Sequence, residues 1–226
     1  MANQRESRKA PMESGRSGII VVIGGGGHAK VVISILRKLE TYRILGYTAL
    51  KDNGSLLEAP YLGSDSEMDA LAAENEKLNA VLALGQVGLG EPRYKLWTRL
   101  QSPSLSFPVI ISPDGTVNEG VSGGEGAVVM DGAVINSGTS IGRGVIVNTN
   151  CTIEHDVVLA DWVHVAPGAT ISGHVTVGRF SMIGAGATVI EGINIAAGCM
   201  VGAGATVVHD LTEQGTYVGS PARRIK

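Results

Sequence analysis

Three of the five histidines crowd one window, VNTNCTIEHDVVLADWVHVAPGATISGH (147–174), alongside Glu154, Asp156 and Asp161. His155 is followed directly by Asp156. An imidazole with an adjacent carboxylate is the pairing that general-base chemistry uses, because the carboxylate can hold the ring in one tautomer. Eighteen residues after His155 stands Gly173, which leaves open space beside the ring where a slender ligand arm can lie. Eighteen residues after Asp156 stands His174, read as an Asp–His structural pair. His164 precedes an apolar valine and is expected to face outward; a hydrogen bond to a ligand carbonyl and a packing role both fit it. His209 is expected to be exposed. The nine- and ten-residue gaps between His155, His164 and His174 do not suit a shared tetrahedral metal site, so no metal is expected.

The eighteen-residue interval takes its meaning from the elements that hold this window. From Ile111, every sixth residue to Val207 is aliphatic except Gly123, and two positions before each stands mostly a small or β-branched residue. A helix needs a period of 3.6 and a strand a period of 2; a period of six belongs to a parallel β-helix. Each hexapeptide is a short strand plus a turn, and three make one triangular coil, so residues eighteen apart are stacked. The 97 residues from Ile111 to Val207 give between five and six coils. The aliphatic residues share a continuous interior, and 32 glycines serve the tight corners. Cys151 and Cys199 occupy small interior positions, too many coils apart for a disulfide. They read as inert thiols of a reducing compartment. Trp162, on the outside of the prism, is costly to expose and points to side-by-side association of copies.

Before the repeat, IIVVIGGGGHAKVVISILRKL reads as a buried strand (19–23), a glycine turn and an amphipathic helix from about Ala29. Gly24, Gly26 and Ala29 fit the G-x-G-x-x-G/A pattern that aims backbone N–H groups at phosphate. Further strands are read at 42–48 and 80–84, and helices at 68–78 and 92–100. This α/β, Rossmann-like unit (19–107) is too short for both halves of a dinucleotide site. No acid follows the second strand, where Tyr47-Thr48-Ala49-Leu50 stands, so a nucleotide or nucleotide-sugar suits it better than NAD. His28 sits at the glycine turn, either meeting a phosphate or sugar hydroxyl or simply starting the helix. The remaining segments are a polar, flexible tail (1–18), the β-helix (108–208) and a basic, proline-containing tail (209–226) that would cap the open prism. A net charge of −3 gives no hint of nucleic-acid binding, and neither a membrane span nor a signal region is read.

Taken together, VVIGGGGHAKVV, NTNCTIEHDVVLADWVHVAPGATISGHVTVG and YVGSPAR resemble the bacterial nucleotide-amino-sugar N-acetyltransferases of the bacillosamine and perosamine type and the related sialic acid O-acetyltransferases. The resemblance covers Ile19 to Lys226. It implies a left-handed β-helix, a homotrimer with sites between subunits, a cytoplasmic location, acetyl-CoA as co-substrate and a nucleotide-linked amino sugar as acceptor. It further implies His155 as general base oriented by Asp156, and His164, Gly173 and Ala185 along the acetyl-CoA path. Gly25, Gly26, Gly27 and His28 would lie on the nucleotide-sugar, with Asn148 near the acceptor. One departure concerns the acids that relatives carry after the second strand in a G-F-x-D-D context; here Gly46-Tyr47-Thr48-Ala49-Leu50 has none. Sugar O-acetylation, a non-catalytic nucleotide-sugar scaffold and a metal-dependent hydratase are the rival readings.

Overall fold

A computed structural model describes residues 18–226. The tail read over 1–18 lies outside them apart from Gly18, which opens the first strand.

Strand β1 (Gly18–Ile23), helix α1 (Gly27–Leu39), β2 (Tyr42–Thr48), α2 (Met68–Glu74), β3 (Leu78–Leu82), α3 (Glu91–Arg99) and β4 (Leu105–Ser106) build a parallel four-stranded sheet in the order β2-β1-β3-β4. Residues Ile20 to Ile23 are fully buried because both sheet faces are covered, which is why β1 is apolar throughout rather than alternating. Helix α2 is shorter than its sequence pattern suggested. The chain leaves the helix at Asn75 in an extended conformation and turns through Lys77 at φ 57°. Leu78, expected at the end of α2, instead starts β3 with no exposure.

From Ile110 the chain winds as a left-handed parallel β-helix of about six turns. Two-residue strands stack at eighteen-residue intervals on three faces. The first face runs through Ile110–Ile111, Val128–Val129, Ile146–Val147, His164–Val165 and Met182–Ile183 to Cys199–Val201. The aliphatic residues of the six-residue series fill the prism as one apolar cluster, with Cys151 and Cys199 inside it as free thiols. At the far end, Gly215–Val218 pairs in parallel with Cys199–Val201, and Arg223–Arg224 folds back antiparallel, closing that sheet edge.

The α/β unit sits against the first face. Outward Ile110, Val128 and Ile146 share a core with Val32, Ile33 and Leu36 of α1. Trp162 is 1 % exposed, covered within its own chain by Trp97 and Tyr94 of α3 at ring-centroid distances of 5.3 and 5.8 Å. The residue that suggested association between copies is therefore spent on joining the two halves of one chain.

Candidate functional site

His155 sits where the chain leaves the face carrying Ile153 and turns a prism corner. At the next position the corner needs a left-handed backbone. Gly138, Asp156, His174 and Gly192 take it in successive coils at φ 76°, 57°, 57° and 76°. Asp156, whose short polar side chain tolerates that conformation, is thereby turned toward the ring before it. His155 Nδ1 lies 2.9 Å from Asp156 Oδ2. That bond makes Nδ1 the protonated nitrogen and leaves Nε2 free to take a proton. It also holds the His155 pKa above the ordinary imidazole value. The ring is half exposed. Gly173 lies beside it one coil on; a Cβ there would stand 2.6 Å from Cε1 and 2.7 Å from Nε2. Glycine is thus required for the ring to occupy this position.

His174 also leans on Asp156, with Nε2 3.9 Å from Oδ2 and its ring edge-on to His155 at 5.0 Å. Ligand atoms of His155, Asp156 and His174 lie within 4.8 Å of one another, so among the described residues these three, without His164, are the groups that could hold a cation. Asp156 Oδ2 already accepts from His155 Nδ1.

His164 has a different setting. It faces outward from the prism yet is only 5 % exposed, because the chain from Gln86 to Gly90 lies over it. Its Nδ1 donates to the Gln86 carbonyl at 3.0 Å, and its Nε2 accepts from Asn148 Nδ2 at 3.1 Å. Both ring nitrogens are therefore occupied within the chain. Burial, followed by the charge of Arg93, lowers its pKa to about 4. Arg93 itself is 2 % exposed, donates Nη1 to Gln86 Oε1 at 3.2 Å and lies 5.6 Å from the Trp162 ring centroid. Burial reduces its own pKa to about 10. Sequence reasoning missed Arg93 and Gln86. A signal was present: Arg93 stands one helical turn before Trp97, on the face of α3 that must be buried.

The three residues of the G-x-G-x-x-A pattern have different settings. A Cβ on Gly24 would stand 2.6 Å from the Ala83 carbonyl oxygen, Gly26 caps α1 with no side chain over its free N–H groups, and Ala29 packs with no exposure. Above the turn opens a cleft of about 450 Å³ that includes Gly24–Gly27, His28, Leu50, Lys51, Asn53 and Asp65 in its wall. The pKa of His28 is lowered to about 4, by burial first and then by Arg93 and His164. The candidate residues thus fall into two groups. Gly25, Gly26, Gly27 and His28 line this cleft, and His164 and Asn148 lie at the nearby seam between the two halves. His155, Asp156 and Gly173 occupy another prism corner, outside the cleft wall. Ala185 is exposed at the turn after the first face, a different corner from that of Gly173.

The family model for the PglD N-terminal domain matches residues 19–89, and that for the bacterial transferase hexapeptide (six repeats) matches residues 138–173. No curated protein sequence matches the chain. Among solved structures, the acetyltransferase domain of PglB from Neisseria gonorrhoeae FA1090 is 34% identical, over 92% of this chain and 99% of that one, with a TM-score of 0.85. The same domain has been solved with acetyl coenzyme A. PerB from Caulobacter crescentus, solved with CoA and GDP-perosamine, is 33% identical over 95% of this chain and 100% of that one, also with a TM-score of 0.85. WeeI from Acinetobacter baumannii AYE shares the fold at 24% identity and a TM-score of 0.81. The chain belongs to the hexapeptide-repeat sugar acetyltransferases of the bacillosamine and perosamine N-acetyltransferase type.

Proposed function

We propose that this protein transfers an acetyl group directly from acetyl-CoA to the 4-amino group of a nucleotide-linked 4-amino-4,6-dideoxy sugar. The observation that carries the reading is the His155 corner: Nδ1 tied to Asp156, Nε2 free, and the half-exposed ring seated directly against Gly173. The sugar nitrogen attacks the thioester carbon, a C–N bond forms, the C–S bond breaks, and His155 Nε2 takes the proton that the amine sheds. A backbone N–H steadies the developing oxyanion. Cys151 is buried, with its thiol pushed up to about 11, so an acyl-cysteine route is unsuited to it.

In this reading, acetyl-CoA passes Gly173 of one copy and Ala185 of another, which accounts for their lying on different corners. The nucleotide occupies the glycine cleft, and the cleft of one copy serves the His155 corner of its neighbour in a closed trimer. His164, with both nitrogens engaged, positions Asn148, which retains one N–H for a ligand. The two buried free thiols suit a reducing cytoplasm. Among the described residues no helix is long and apolar enough to cross a membrane.

The test is thiol release from acetyl-CoA offered UDP-, GDP- and dTDP-linked 4-amino-4,6-dideoxy sugars. Turnover of one amino sugar that is lost in His155→Ala supports the reading. Turnover only with a hydroxyl acceptor such as sialic acid would move the protein to the O-acetyltransferases, and an absence of acetyl-CoA binding would remove the enzyme reading altogether.

A further inference from the structure

Directly after the second strand this chain has Ala49-Leu50 and no acid. The structure brings a carboxylate to the same place by another route. Residues 60–63 run along the free edge of β2: Tyr47 N donates to Pro60 O at 2.9 Å, Leu62 N to Tyr47 O at 2.9 Å, and Ala49 N to Gly63 O at 3.1 Å. Gly46 permits this close approach, since a Cβ there would stand 2.6 Å from Leu62 Cγ. Ser64 then caps a short 3₁₀ turn whose first residue is Asp65. At the tip of β2 the buried Thr48 hydroxyl donates to Asp65 Oδ1 at 2.9 Å.

Asp65 is 14 % exposed and stands in the wall of the glycine cleft with Leu50, Lys51 and Asn53. Its remaining partner is Arg99, whose Nη2 reaches Oδ2 only at 3.5 Å and whose side chain is two-thirds exposed. A carboxylate has about four acceptor sites, so lone pairs remain on both oxygens. Such a group repels phosphate and accepts from hydroxyls. In a βαβ nucleotide site the phosphates lie at the glycine turn, and an acid at the tip of the second strand takes the ribose hydroxyls. The wall of this cleft carries both kinds of group, free helix N–H groups at Gly26 and the Asp65 carboxylate, with Lys51 as its cation.

We propose that Asp65 binds the ribose cis-diol of the nucleotide, so that the cleft selects a ribonucleoside diphosphate over its 2′-deoxy counterpart. This rests on the reading of the cleft as the nucleotide site. It narrows the acceptor to a UDP- or GDP-linked sugar and disfavours a dTDP-linked one.

The experiment is calorimetric titration of the full chain with UDP, GDP and their 2′-deoxy forms, for the native protein and for Asp65→Asn. The variant keeps an acceptor oxygen for Thr48 but lacks the charge. Loss of the 2′-hydroxyl is expected to weaken binding to the native protein about 10- to 100-fold, the range for a hydrogen bond to a charged group. In Asp65→Asn the gap should shrink to below about threefold through weaker ribonucleotide binding, with the deoxy forms little changed. Equal binding of the ribo and deoxy forms to the native protein would overturn the proposal while leaving the cleft as the nucleotide site. A full gap persisting in Asp65→Asn would overturn it too. If none of the four binds the native protein, the cleft reading falls and the proposal with it. The native-protein comparison holds however the variant folds.

Discussion

His155 and His164 stand nine residues apart on the same repeat, yet their surroundings drive their chemistry in opposite directions. His155 is half exposed and held by a carboxylate, which raises its pKa and leaves one nitrogen free. His164 is buried beneath the Gln86 loop with both nitrogens used, and burial with Arg93 nearby keeps it neutral down to about pH 4. The repeat governs where each backbone lies. What covers the prism at that point decides whether an imidazole is available to a substrate or serves as a strut.

The sharpest break of this pairing is His155→Ala. Loss of a positioned general base is expected to lower kcat/KM by about 10²- to 10⁴-fold, while the exposed position leaves the melting temperature close to native. Next in size, Trp162→Ala should destabilise the protein by about 3–5 kcal/mol in denaturant titration. Its ring is fully buried between α3 and the solenoid, so removing it opens a cavity in the seam that holds His164 down. A native denaturation midpoint for this variant would mean that the seam closes by other contacts. Smaller again, His164→Ala should cost about 1–3 kcal/mol by leaving the buried Gln86 carbonyl and Asn148 amide without their partner. Its effect should be on stability before rate, the reverse of His155→Ala; equal behaviour of the two variants would erase the distinction.

Much of this was legible in the sequence, for an identifiable reason. A six-residue aliphatic period admits one architecture, and eighteen-residue stacking follows from it, so the placement of Gly173 beside His155 and of His174 over Asp156 can be read without coordinates. The glycine pattern of the first turn is a weaker signal: Gly24 meets the Ala83 carbonyl and Ala29 is packed in the core, but a Cβ on Gly26 would meet nothing within 4 Å. Contacts between the two halves carry no such period. The covering of Trp162 by α3, the burial of His164 under Gln86 and the entry of Arg93 into the seam depend on how an irregular loop lies across a regular face. Asp65 was missed because position relative to β2 was judged along the chain. The edge segment carries it there seventeen residues later, through backbone bonds that leave little mark on the sequence beyond the glycine at Gly46.

The smallest predicted effect separates a carboxylate that sets the base from one that merely sits beside it. Because His155 must be neutral to accept a proton, kcat/KM should fall as the pH drops through its pKa, which lies above the ordinary value of about 6.5. Asp156 is the main cause through its hydrogen bond, with Glu191 and Glu154 adding weaker charge effects. In Asp156→Asn the imidazolium loses that partner, so the acid limb of the profile should move to lower pH. The plateau should also fall, since the tautomer and ring orientation are no longer fixed. The pair is exposed, so added salt should narrow the difference between native and variant profiles. Histidine NMR titration gives the check that activity alone does not: the His155 signal should move to lower pH in Asp156→Asn, with His28 and His164 still titrating near 4. If the His155 midpoint is unchanged in the variant, Asp156 does not set the base, and the contrast with His164 reduces to exposure alone.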